Sequence, residues 1–418
     1  MSGLRNLIRS AWPLLVVVSL SPAAAAAADP PAAAPAPALD TTRFRLAPSI
    51  TLSDVGIDTN ILTTAHDQKR DMTGNIKLEL EPSLPFGRAR ISGKLAARGA
   101  YFRQYAEQRS LDTDDSMKLE VRINRLTAHA SGTYLHAHDR FDPEIFVRTL
   151  RTETAIEAGS DFSLSQKTNI GVALQQSQVA FEVTTVALDE RLREALNRDT
   201  SGVTTWMRSA LSPLTMLAVI VDTEQDHFAF MPQRDARSVK AVAGLEFKPA
   251  ALLDGKVFAG YRAFSSQGDD DSNGRGFTGS VDLGYTVVSR VRVGVEAERD
   301  FAHSFRLTSP YYVFTRLSNS VTARLESWEF RAAAGQEWLD YGISPAAAAM
   351  LAIPAADQVL FDAGAALDRM FRYGGGASYK LRRGASIGLD ADYLRFHTGE
   401  TNRTYDRLRI ISSVGVRF

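Results

Sequence analysis

Apolar residues recur at every second position from Phe44 almost to the end of the chain. In the first such run, Leu46, Ile50 and Leu52 alternate with polar residues such as Arg45. A period of two places successive side chains on opposite faces of a β-strand. The run therefore predicts a strand with one apolar and one polar face, and the same pattern repeats about eighteen times.

The connections between these predicted strands alternate in length. Short turns follow the even strands, as at residues 124–125 and 326–327, and long polar segments follow the odd strands, as at residues 139–151 and 265–276. This layout, with an even strand number, is typical of bacterial outer-membrane barrels. We therefore predict an all-β fold, a transmembrane antiparallel up-and-down β-barrel of about 18 strands (16 to 18) with short periplasmic turns and long extracellular loops.

A soluble protein built from several β-sheets is the alternative to the barrel. Two features argue against it. The apolar face is almost free of charged residues away from the strand ends, as lipid requires, because Arg or Lys at the bilayer midplane costs about 2–4 kcal/mol. Aromatic residues gather at both ends of the apolar stripes, as Tyr285 and Phe330 do near short turns and Tyr134 and Tyr393 do near long loops. Two such girdles are expected at the two membrane interfaces.

The two ends of the sequence carry targeting features. Residues 1–28 combine Arg5 and Arg9 with a short apolar core and an alanine run that ends at Ala28, which predicts a secretory signal peptide rather than the alternative, a membrane anchor. Residues 29–41 are rich in Pro and Ala and predict an extended periplasmic linker. We assign residues 42–418 to the barrel and expect the terminal Phe418 to be recognised by the barrel assembly machinery.

Composition excludes several classes of function. The chain has 48 basic and 48 acidic residues and no cysteine among its 418 residues. A neutral balance argues against nucleic acid as a partner, and the absence of cysteine excludes disulfides, thiolate metal sites and cysteine nucleophiles. His136 and His138 share a strand face but lack a third metal ligand at a suitable spacing, and no hydrolase or phosphate-binding motif is present. We predict no enzyme, no metal and no cofactor.

The polar strand faces predict a charged lumen. The first and last strands meet when a barrel closes, so basic residues from both ends of the sequence should share one wall. We call this set the basic arc; its members are Arg45, Lys77, Arg90, Lys94, Arg98, Lys118, Arg122, Arg372, Lys380, Arg407 and Arg409. The middle of the chain contributes more acidic residues. The basic arc is a candidate binding surface for anions, and the alternative is that its members form salt bridges that hold the wall rigid.

Two long loops have unusual sequences. Residues 339–366 are apolar for an extracellular loop, and we interpret them as a candidate constriction that folds inward. Residues 182–198 contain Leu188, Leu192 and Leu196 at helical spacing, which predicts a short amphipathic helix near the mouth. For both segments the alternative is simple packing on neighbouring loops.

The first strand, FRLAPSITLSDVGIDTNIL (residues 44–62), and the last strands, including YDRLRIISSVGVRF (residues 405–418), resemble those of a family of outer-membrane β-barrel porins found beside bacterial exopolysaccharide export genes. The resemblance implies a Gram-negative outer-membrane protein that secretes a polysaccharide. Polysaccharide, periplasmic export proteins, outer-membrane lipid and lipopolysaccharide are the expected partners. A general diffusion porin for small solutes and a plugged structural or adhesin-like barrel remain the alternatives.

Overall fold

The structure of the protein is a computed structural model. It describes residues 44–417 apart from these segments: 141–143, 146–147, 183–186, 249–251, 267–272, 289, 305–310, 342–366, 382–383 and 399–403. The predicted signal peptide, the linker, most of the candidate constriction at 339–366 and the terminal Phe418 lie outside the described residues. These predictions therefore stay predictions.

The described residues form eighteen β-strands and one α-helix. The first nine strands are β1 (Arg45–Asp58), β2 (Asp71–Phe86), β3 (Ala89–Phe102), β4 (Ser110–Ile123), β5 (Leu126–Asp139), β6 (Thr149–Ser163), β7 (Thr168–Phe181), β8 (Arg198–Ser212) and β9 (Thr215–Phe228). The other nine are β10 (Ala236–Phe247), β11 (Leu253–Ser266), β12 (Gly274–Val288), β13 (Val291–His303), β14 (Tyr311–Leu325), β15 (Trp328–Tyr341), β16 (Leu367–Lys380), β17 (Ala385–His397) and β18 (Tyr405–Arg417). The helix α1 (Ala187–Leu196) lies between β7 and β8.

Each strand pairs in antiparallel fashion with its neighbours in sequence, and β1 also pairs with β18. The eighteen strands therefore form one closed sheet, as predicted. The connections after even strands span two to five residues and those after odd strands seven to twenty-five, so the predicted alternation is confirmed. Closure leaves no unpaired sheet edge, which a barrel in lipid requires.

The apolar face of the strands points outward. Large apolar side chains such as Leu174, Ile156 and Leu389 are among the most exposed of the chain, and they alternate with polar residues that point inward. Exposed leucines at this density are unfavourable in water but expected against lipid. Among the described residues, no helix is long and apolar enough to cross a membrane.

The first strand contains a β-bulge. Asp54 has a φ of +52°, and the pairing of β1 with both β2 and β18 shifts register beside it. The extra residue turns the Asp54 side chain inward, so that its carboxylate accepts a hydrogen bond from Asn75 Nδ2 at 2.6 Å. A bulge increases local twist, and this one lies where the first and last strands meet.

One boundary differs from the sequence prediction. Leu339 was expected to begin a loop, but strand β15 continues to Tyr341. Leu339 and Tyr341 both point inward and pack against Tyr312 and Phe314 of β14 in a buried apolar cluster. Inward apolar residues do not fit the alternation of a water-filled barrel, and for this reason the sequence pattern ended the strand too early.

Candidate functional site

The lumen is lined by the strand positions that lie between the outward apolar residues. On β3, Arg90, Lys94 and Arg98 point inward, whereas Leu95 and Tyr101 are exposed on the outer face. At eighteen strands the interior is too wide for wall side chains alone to fill. The space is therefore available to water, to a solute or to inserted loops.

The structure brings the basic arc together on one wall. Its members belong to β16, β18 and the first four strands, which adjoin because β1 pairs with β18. Most of them form ion pairs. Those in the extracellular half and the middle of the lumen are Lys94 with Asp114 (2.5 Å), Arg98 with Asp112 (2.6 Å), Arg409 with Asp392 (2.8 Å), Arg372 with Glu337 (4.0 Å) and Arg407 with Asp58.

The remaining ion pairs of the basic arc lie between the middle of the barrel and its periplasmic end. They join Lys77 to Glu79 (2.5 Å), Arg122 to Glu120 (2.8 Å), Lys118 to Glu120 (3.8 Å) and Lys380 to Glu329 (3.7 Å). Two cations share Glu120, so this part of the wall keeps a positive excess.

Arg45 and Arg90 differ from the other members of the arc. Both are exposed at the periplasmic end, and neither forms an ion pair within the part of the chain that the structure describes. Arg90 lies directly opposite Glu120 on β4, but that carboxylate is held by Arg122 and Lys118. Within the described residues, the periplasmic end of this wall therefore presents positive charge that no carboxylate pairs.

The opposite wall carries a balanced ionic network. Arg262 on β11 binds Glu224 of β9 at 2.8 Å and Asp300 of β13 at 3.3 Å, and Lys240 of β10 binds the same Asp300 at 2.7 Å. These contacts join strands that are two or three positions apart in the sheet. Such a network fixes the wall side chains in place and leaves little net charge.

The connection between β5 and β6 (residues 140–148), which we call the crossing loop, brings Glu144 over the extracellular end of the lumen. Glu144 accepts a hydrogen bond of 2.6 Å from the hydroxyl of Ser304, which follows β13. Strands β5 and β13 are eight positions apart in a ring of eighteen, so the two loops come from nearly opposite walls. Both residues are almost fully buried. The contact therefore places protein across the opening of the barrel.

Two arginines form further hydrogen bonds between loops at the extracellular mouth. Arg140, in the same loop as Glu144, donates a hydrogen bond of 2.6 Å to the carbonyl oxygen of Ile61 between β1 and β2. Arg234, between β9 and β10, donates to the carbonyl oxygen of Ser304. Burial lowers the pKa of the Arg234 guanidinium, and the Glu144 carboxylate acts in the opposite direction. Loops from four sides of the mouth thus meet through polar contacts.

The predicted helix in residues 182–198 is confirmed as α1. Its Leu192, Ala195 and Leu196 are buried in one cluster with Ile145 of the crossing loop and Phe181 of β7. The helix therefore supports the crossing loop from the side of the wall.

The sequence pattern did not single out the crossing loop, and the candidate constriction at residues 339–366, most of which lies outside the described residues, stays a prediction. A signal was present, because the segment 141–147 reads FDPEIFV and is apolar for a connection of this length. The partner of Glu144 could not be read from the sequence, since Ser304 lies 160 positions away.

Among the described residues, no group of three or more histidines and carboxylates could hold a metal ion. His129 lies 3.5 Å from Glu157, and His303 lies 3.0 Å from Asp226. His129 also lies 4.0 Å from Asp161, and Asp226 also contacts Arg198 at 3.9 Å and accepts a hydrogen bond of 2.6 Å from the Thr200 hydroxyl.

The closed barrel with a charged lumen agrees with a comparison against protein families. A family model described as Putative beta-barrel porin 2 matches residues 40–418. The chain belongs to this family. It is therefore an outer-membrane porin of Gram-negative type, as the resemblance of its terminal strands implied, and porin membership indicates a channel rather than an enzyme.

The porin is also similar to several solved structures. It is similar to OccK2 (OpdF) of Pseudomonas aeruginosa, with 7% identity, 90% of this chain and 98% of that chain covered, and a TM-score of 0.48. It is also similar to OccAB3 of Acinetobacter baumannii, with 10% identity, 90% of this chain and 99% of that chain covered, and a TM-score of 0.46. The outer membrane channel DcaP of the same organism has 13% identity, with 90% of this chain and 97% of that chain covered, and a TM-score of 0.42. Likeness at this level carries no information about substrate. No curated protein sequence matches the porin.

Proposed function

We propose that this porin is a conduit through which an acidic exopolysaccharide leaves the cell. The observation that carries the proposal is the uncompensated charge of Arg45 and Arg90 at the periplasmic end of the basic arc. An exported polymer enters the barrel from the periplasm, so this is the end at which attraction of an anionic chain is useful. Basic rings and stripes in a pore favour anions.

The distribution of ion pairs supports transport rather than tight binding. A conduit must attract its cargo strongly enough to admit it and weakly enough to release it. Farther along the wall, Arg98 and Arg409 are held by carboxylates. These cations offer a passing polymer only partial attraction. We infer that Arg45 and Arg90 recruit the chain and that the paired wall lets it move on.

The proposal includes periplasmic partners. A separate inner-membrane or periplasmic export protein would deliver the polymer, and the Pro/Ala-rich residues 29–41 have the composition of a linker that could reach such a protein. Genes for glycosyltransferases or a polymerase beside the gene of this porin would agree with this role.

A general diffusion porin for small solutes is the second candidate. The balanced network around Arg262 and Asp300 favours it, because a wall with little net charge discriminates weakly between ions. The loops that meet at Glu144 and Ser304 favour a third candidate, a plugged structural barrel. These alternatives differ from the first in conductance and in selectivity.

The decisive experiment is single-channel recording of the refolded protein in a planar bilayer. Reversal potentials in a salt gradient report selectivity, and galacturonic acid oligomers added from the periplasmic side report binding, with neutral glucose oligomers of equal length as the control. We expect an anion-selective current that only the acidic oligomers block. A large unselective current that neither oligomer blocks would indicate a diffusion porin, and no current from folded protein would indicate a plugged barrel.

A matched pair of double variants tests the role of the unpaired cations. We expect Arg45→Gln with Arg90→Gln to weaken block about tenfold, equivalent to about 1.4 kcal/mol. The control is Arg324→Gln with Lys380→Gln, which removes the same charge from two exposed cations that already share Glu329. Equal losses in both double variants would show that net lumen charge matters and that Arg45 and Arg90 have no special role.

A further inference from the structure

The outer face of β17 changes character near its extracellular end. Its outward residues are apolar at Leu389, which is 60% exposed, and at Ala391, then aromatic at Tyr393, and then basic at Arg395 and His397. All of them lie on one face because alternate residues of a strand point the same way. The lipid contact and the aromatic girdle account for the lower part of this stripe but not for its basic end.

On the neighbouring strands, aromatic and basic outward residues lie beside those of β17. Tyr373 of β16 lies directly opposite Tyr393, and Arg369 lies directly opposite His397. On its other side, Arg369 is opposite Trp338 of β15. The structure therefore assembles an outward basic patch, which we define as Arg369, Arg395 and His397, next to a row of aromatic residues.

The height of the patch fits the headgroup layer of the outer leaflet. Tyr393 and Tyr373 belong to the girdle that marks the border between hydrocarbon and headgroups. A strand rises about 3.4 Å per residue, which places Arg395 about 7 Å and His397 about 14 Å beyond Tyr393 along the strand. The phosphates of lipopolysaccharide lie in this layer, just outside the hydrocarbon.

The charge of the patch is only partly compensated. Asp406 of β18 also points outward, where it accepts a hydrogen bond of 2.9 Å from Tyr393 Oη and lies 3.7 Å from Arg395 Nε. Arg369 is exposed and forms no ion pair among the described residues. Asp340 of β15, two residues beyond Trp338, is a second outward carboxylate near Arg369, but no ion pair joins the two among the described residues. Because neither carboxylate holds Arg369, the patch retains capacity for an anion.

We propose that this patch binds the phosphorylated headgroup of a lipopolysaccharide molecule from the outside of the barrel. Guanidinium groups bind phosphate oxygens through charge-assisted hydrogen bonds, often in pairs. Tyr373, Tyr393 and Trp338 pack against the upper acyl chains of the same molecule. The site lies on the lipid face, so it is independent of what passes through the lumen.

The test measures binding of purified bisphosphorylated lipid A to the folded full-length porin in detergent, by native mass spectrometry and by fluorescence titration. We expect Arg369→Gln with Arg395→Gln to weaken binding at least tenfold while single-channel conductance stays unchanged. Lys94→Gln with Arg122→Gln is the matched control, because it removes two cations that point into the lumen. A loss of equal size in the control would overturn the proposal.

A second variant is expected to act in the opposite direction. Asp406→Asn removes the carboxylate that competes for Arg395 and should tighten lipid A binding by severalfold. Dephosphorylated lipid A and phosphatidylglycerol are the comparison ligands, and we expect both to bind more weakly than bisphosphorylated lipid A. Equal affinity for the dephosphorylated form would overturn the assignment of phosphate, and equal affinity for phosphatidylglycerol would overturn the assignment of lipopolysaccharide.

Discussion

Arg407 of β18 donates hydrogen bonds to both carboxylate oxygens of Asp58 of β1, with Nε 3.0 Å from each, although the two residues are 349 positions apart. Asp58 is only 2% exposed, and Arg407 is buried with it. The pair joins the first strand to the last at the extracellular end of the seam. The bulge at Asp54 places a second carboxylate beside Arg409 on the same seam, at 3.5 Å.

We expect Arg407→Met to destabilise the barrel by about 3–5 kcal/mol, because Asp58 would be left as an unpaired buried charge. The measurement is the temperature at which the folded protein loses its faster migration in an unheated denaturing gel. The double variant Arg407→Met with Asp58→Asn should recover a large part of the loss.

The control for the seam is Arg417→Gln. Arg417 pairs with Glu81 at 2.7 Å, but both side chains are about half exposed, so this pair should contribute no more than about 1 kcal/mol. If Arg417→Gln and Arg407→Met lowered the melting temperature equally, the buried pair would not be the feature that stabilises the seam.

A glycine in the same seam allows the two strands to approach. A Cβ added at Gly56 would lie 1.9 Å from the carbonyl oxygen of Ile410 on β18, which is closer than contact distance. We expect Gly56→Ala to cost about 2 kcal/mol, as overpacking does, and to lower the yield of folded protein. Gly74→Ala is the control, because its Cβ would meet only Val55 Cγ2 at 3.6 Å. Equal folding yields of the two variants would contradict this expectation.

The fold was predictable because lipid imposes a strict rule on every strand. One face must be apolar along the whole span, and the alternation around Ile387 and Leu389 is visible without knowledge of any partner. The lumen obeys no comparable rule. Whether Arg409 binds Asp392 or stays free depends on the register of β17 against β18, which places the two residues opposite each other. The sequence therefore located the basic arc but not its pairing.

The assignment of inner and outer strand faces can be tested by changing the charge on each face. Ala391 is exposed at the centre of β17 on the lipid side, so Ala391→Arg should cost about 2–4 kcal/mol and impair assembly in bilayers. Lys94→Ala should leave folding intact, because its ion pair with Asp114 is partly exposed in the lumen. Folding yields in lipid vesicles check both. Equal yields for the two variants would show that the faces are assigned wrongly.

The crossing loop should control the current through the barrel. Ser304→Ala removes the hydroxyl that donates to Glu144, a hydrogen bond to a charged group that is worth about 1.5–3 kcal/mol. Because this bond joins loops from nearly opposite walls, its loss should loosen the crossing loop on the β13 side and give a larger or noisier single-channel current. Glu182→Gln is the matched control, since Glu182 is an exposed carboxylate that follows β7 on the same side of the barrel and lies 3.6 Å from His136. An unchanged current in Ser304→Ala, from protein with unchanged melting, would mean that the crossing loop does not limit the passage of ions.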